Sequence, residues 1–65
     1  MDWAMSQNNL GTAYGNLPTG DREENLQRAI ACYEAAIRGY QSAGLIDDAE
    51  RVGRRLEETL RRRSQ

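Results

Sequence analysis

The strongest constraint on this chain is a periodicity in its middle third. Leu26, Ala29, Ile30, Tyr33, Ala36, Ile37 and Tyr40 recur in steps of three, one, three, three, one and three. That spacing matches a 3.6-residue turn and puts all seven on one side of a helix. Ala29 and Ala36 are small and lie seven apart, which lets a neighbouring helix come near while Tyr33 and Ile37 fill the flanks. No segment offers the alternation of a strand, so the chain is expected to be all-α.

Punctuation on either side sets the element count. Upstream, Leu17-Pro18-Thr19-Gly20-Asp21 breaks any helix, because Pro18 lacks a donor and pushes Leu17 out of helical geometry. Asp21, with Glu24 three residues on, has the form of a capping box. Downstream, Gly44 is placed to end the helix in the left-handed region, with Leu45 or Ile46 making the accompanying contact. Asp47 or Asp48 then opens a third helix at its positive end. The first helix is expected from Asp2 as N-cap, with Trp3, Leu10, Tyr14 and Leu17 as its buried stripe, widened by Ala13. Gly11, inside that pattern, is expected to permit a close helix approach. The third helix carries Ala49, Val52, Leu56 and Leu60 on a narrow stripe, with Glu57–Arg61 and Glu58–Arg62 spaced for ion pairs. The helices are expected at about 3–16, 22–43 and 47–62 within a single domain spanning 1–65.

Composition narrows the chemistry. The chain has 65 residues, no His and one Cys. Zinc sites and His-based acid–base or nucleophilic catalysis are therefore disfavoured, and no cofactor or metal is expected. Cys32 beside the central stripe reads as a small packing residue, since no His can activate it. The acids Glu23, Glu24, Asp47 and Asp48 sit at helix starts, which explains them without catalysis. The expectation is a binder, not an enzyme. No apolar run approaches the roughly 20 residues of a membrane span, and no signal peptide is visible, so a cytoplasmic setting is expected. Charge is split: residues 1–50 hold eight acids and three Arg, and residues 51–65 hold six Arg and two Glu. Arg61, Arg62 and Arg63 complement a helix C-terminus. Nucleic-acid contact through this Arg-rich end is the weaker reading, because no aromatic is interleaved to stack on bases.

Leu10, Gly11 and Tyr14, followed by Ala29, Tyr33 and Ala36, resemble the tetratricopeptide repeat. Two departures stand out. Gln7 occupies the place of the family's Trp, and the stretch between Tyr14 and Ala29 is about six residues longer than a 34-residue repeat allows. The phrasing looks like a long-looped bacterial variant. Val52-Gly53 and Leu56 loosely match the start of a following repeat, giving about one and a half repeats: a helix–turn–helix plus a capping helix. The resemblance implies a protein–protein interaction module or scaffold whose groove, lined by the first helix of each pair, binds a peptide or partner segment. On that mapping Asn8, Thr12 and Asn16 line it from the first helix, and Glu50, Arg51 and Arg54 from the third. The Lys that chaperone-tail-binding members use is missing, so that specificity does not carry over.

So short an array cannot bury its faces alone. Either the chain is a piece of a longer array or it self-associates, and a homo-oligomer is expected, most simply a two-fold dimer. The Ser42-Ala43-Gly44-Leu45 joint has no Pro, so helices two and three could fuse and exchange between chains. A purely structural oligomerisation unit is the alternative function.

Overall fold

The computed structural model describes residues 3–64. Within it the chain forms three α-helices: α1 (Trp3–Gly15), α2 (Arg22–Ser42) and α3 (Ile46–Ser64). No strand occurs among the described residues, so the chain is all-α. The expected Asp2 cap lies outside the described residues.

The α1–α2 turn is built as its sequence dictates. Gly20 takes φ +82°, a region that L side chains avoid. Asp21 Oδ1 then accepts from the backbone N–H of Glu23 at 2.9 Å and of Glu24 at 3.3 Å. Asn25 Nδ2 donates back to the Thr19 carbonyl at 2.9 Å, tying the turn to the helix it precedes. Only half of the capping box forms. The Glu24 carboxylate turns outward and pairs with Arg28 at 2.7 Å.

The α2–α3 joint is a Schellman closure. Leu45 N–H donates to the Tyr40 carbonyl at 2.8 Å and Gly44 N–H to the Gln41 carbonyl at 3.0 Å, with Gly44 at φ +75°. α3 begins at Ile46, one residue before the expected start, so Asp47 and Asp48 both fall in its first turn.

The Cα atoms span 34 × 23 × 12 Å. The Cα cylinder of one helix is about 5 Å across, so the three helices do not lie flat in one plane. α2 lies in the middle and packs against α1 on one side and α3 on the other. The core is therefore two seams. Ala4, Ala29, Tyr33, Ala36, Tyr40, Ala49 and Val52 are buried and mutually packed, and Tyr14, Ile37 and Leu56 rest against them. Leu26 is also buried.

The α1 seam is made of small residues. A Cβ on Gly11 would sit 2.9 Å from the Tyr33 ring and 3.2 Å from the Ala29 carbonyl. A Cβ on Gly39 would sit 3.0 Å from Ala4 Cβ and 3.3 Å from the Trp3 ring. The expected close approach at Gly11 and Ala29 is thus present. Gly39 and Ala4 form a second one that the sequence reading missed.

One expected stripe is turned, and another departs only at its end, since Ala49 and Val52 are buried and Leu56 packs on the core as expected. On α1 the buried residues are Ala4 and Gly11, whereas Trp3 (58%), Leu10 (44%) and Leu17 (46%) are exposed, as is Ala13. On α3 the last buried position is Thr59, and Leu60 is exposed. Thr59 tolerates burial because its hydroxyl donates to the Arg55 carbonyl at 2.8 Å. The Glu57–Arg61 and Glu58–Arg62 pairs do not form. The ion pairs among the described residues are Arg28–Glu24 and Arg51–Asp48.

Candidate functional site: a polar groove between α1 and α3

α1 and α3 flank α2 and leave a groove between them with α2 as its floor. Tyr33 forms the floor. Thr12 and Asn16 come from α1, and Arg55, Glu58, Thr59 and Arg62 from α3, around an open volume of 260 Å³.

Helix spacing explains this set. Residues four, three and four apart lie in one line along a helix. Thr12 and Asn16 belong to such a line with Met5 and Asn9. Arg55, Glu58 and Arg62 belong to one with Arg51. The α1 wall thus carries amides, a hydroxyl and a thioether. The α3 wall carries three guanidinium groups and one carboxylate.

Thr12 is the hub. Its Oγ1 donates to the Asn8 carbonyl at 3.1 Å and lies 3.0 Å from the Tyr33 hydroxyl. Arg55 Nη1 donates to the same oxygen at 3.2 Å. Further along, Arg62 Nη2 donates to the Gly15 carbonyl at 2.9 Å, which satisfies one of the orphan acceptors at the end of α1. Both arginines therefore span the groove and bond neutral acceptors. Neither is ion-paired with a described residue.

The residues expected to line a groove are divided by the fold. Thr12 and Asn16 are in it. Asn8 is half-buried on the Ala4–Gly11 side of α1, and its Oδ1 is buried without a hydrogen-bond partner. Arg51 stands one turn before Arg55, exposed and 3.7 Å from Asp48. Glu50 and Arg54 are exposed on the side of α3 away from its buried stripe and are not brought to the groove. Arg55, Glu58 and Arg62 were missed. The register would have followed from taking Val52, Leu56 and Thr59 as the buried line.

Other chemistry is sparse. Arg28 lies over the Tyr14 ring at 5.8 Å, and its charge is favoured first by the Glu24 carboxylate it bonds. Burial pushes the Cys32 thiol above its ordinary range. Among the described residues no group of three or more His, Cys, Asp or Glu could hold a metal ion, and no helix is long and apolar enough to cross a membrane.

No protein-family model matches the chain, and no curated protein or solved structure is significantly similar to it.

Proposed function

We propose that the chain is a protein–protein interaction module of tetratricopeptide type, and that its α1–α3 groove takes an acidic peptide segment. One observation carries this reading. Arg55 and Arg62 face the groove with no carboxylate partner among the described residues, their charge bonded only to a hydroxyl and a backbone carbonyl. A guanidinium in that state has donors to spare for a carboxylate, which it grips bidentately. Asn16 adds an amide that can bond a peptide backbone. The elevated Cys32 thiol and the absence of His leave the chain without an activated nucleophile, which favours binding over catalysis.

The test is a fluorescence-anisotropy titration with labelled acidic, neutral and basic peptides. Acidic peptides should bind, more weakly as salt rises. Replacing Arg55 and Arg62 together by Gln should weaken them at least roughly tenfold, since a hydrogen bond to a charged group is worth about 1.5–3 kcal/mol. Equal binding by the double variant, or no binding of acidic peptides at millimolar concentration, would overturn the reading.

A second reading, a self-assembling scaffold, is favoured by a different observation. Trp3, Met5, Leu10, Leu17, Leu45, Ile46 and Leu60 are all exposed, while the core is largely Ala. That imbalance between exposed and buried apolar side chains is what favours association.

A further inference from the structure

We propose that the α1–α3 groove continues into a phosphate subsite formed by Arg22, Arg62 and Arg63, and that the acidic peptide it takes carries a phosphorylated side chain there. The inference rests on the peptide reading and names the second anchor of that ligand.

A second cavity, of 260 Å³, lies where the start of α2 meets the end of α3. Arg22, Glu23 and Leu26 line it from α2, and Arg62 and Arg63 from α3. Arg62 also lines the α1–α3 groove, so the two cavities adjoin at its side chain. Leu26, buried in the fold, gives the cavity an apolar floor. The volume is below the roughly 300–1,000 Å³ of pockets that enclose drug-sized ligands. It suits one side-chain group rather than a whole nucleotide.

Charge names the group. Three guanidinium groups line the cavity against one carboxylate, Glu23, which leaves a surplus of two positive charges. The neighbouring acids are engaged elsewhere: Glu24 pairs with Arg28, and Asp21 Oδ1 accepts from two backbone N–H groups. Arg62 is spaced for Glu58 one turn back, yet it reaches across to the Gly15 carbonyl at 2.9 Å, which holds its head at the junction of the two cavities. Neither it nor Arg22 nor Arg63 is ion-paired with a described residue. A phosphorylated side chain brings about −1.5 to −2 charge at pH 7 and three strong acceptor oxygens, which matches that surplus better than a single carboxylate. The phosphates of a nucleic acid carry one charge each, and no aromatic lines the cavity to stack a base. Spacing adds a constraint on the peptide. Arg55 and Arg62 lie seven residues apart on α3, about 10 Å along its axis. An extended peptide covers about 3.3–3.6 Å per residue, so its carboxylate at Arg55 stands about three residues from the phosphorylated one.

The experiment is fluorescence anisotropy of the full chain at about 0.15 M salt, where charges beyond about 8 Å are screened. The probes are labelled peptides with a glutamate and a serine three positions apart, in both orders, with the serine phosphorylated or not. Phosphorylation should tighten binding at least roughly tenfold in one order. Replacing Arg22 and Arg63 together by Gln should remove that gain and leave the unphosphorylated peptide's affinity unchanged. Glu23→Gln should enlarge the gain. Arg54→Gln, the control on the side of α3 away from the groove, should keep it. All four positions are exposed, and circular dichroism confirms that helicity is retained. No gain from phosphorylation, an equal loss in Arg54→Gln, or tighter binding of a single-stranded oligonucleotide than of the phosphopeptide overturns the subsite. If the unphosphorylated peptide still binds through Arg55 and Arg62 in that case, the groove reading stands. Phosphopeptide binding that needs Arg22 and Arg63 but not Arg55 overturns the groove reading and keeps the subsite. Failure of every peptide to bind at millimolar concentration overturns both.

Discussion

Single residues in this molecule differ sharply in how much a methyl group matters. Gly11→Ala would drive a Cβ into the Tyr33 ring and the Ala29 carbonyl. Overpacking costs about 1–3 kcal/mol, offset by about 1 kcal/mol of helix propensity, so a net loss on urea unfolding is expected. Gly53→Ala meets open space and should gain about 1 kcal/mol in a dilute monomeric sample. Asn8→Ala removes a buried acceptor that has no partner. It should raise stability by about 0.5–1 kcal/mol and leave peptide affinity unchanged, because Asn8 serves the seam and not the groove. Cys32 should react more slowly with a thiol reagent at neutral pH than an unhindered cysteine, since burial keeps it protonated. Urea should restore the full rate.

At the scale of the helix, what decided burial was neighbour distance as much as hydrophobicity. α2 is legible in the sequence because it is gripped on two sides, so Leu26, Ala29, Tyr33, Ala36 and Tyr40 are all buried as their spacing predicts. α1 is gripped on one side only. Its large apolar line and its small line, Ala4 and Gly11, lie on adjacent faces. The small line won, because only small side chains allow α1 to approach Gly39 and Ala29 at contact distance. A periodicity count weights Trp and Leu over Ala and Gly, and so selects the wrong face. The groove inherited a similar shift. Thr12 and Asn16 were readable from α1, whereas Arg55 and Arg62 depended on Thr59, a polar residue, ending the buried line of α3. The caps were plain from residue type alone. Asp21→Ala should cost about 1 kcal/mol through the two N–H groups it bonds. Gly44→Ala should cost about 1–2 kcal/mol through its left-handed φ, both read by thermal melting.

Across the whole molecule, no large side chain among the described residues is fully sealed from water. Each outer helix is held by one packed seam and by the arginine bonds that cross between the two, whereas α2 is held by two seams. Protection against solvent should therefore be graded sideways. Deuterium should enter the amides of the two flanking helices early, as each peels from α2 and the bridging arginines let go, and reach the middle of α2 around Tyr33 and Ala36 last. A ligand bridging the flanks through Arg55 and Arg62 would slow that peeling in both at once, so occupancy of the groove could be read from exchange rates far from any contact it makes.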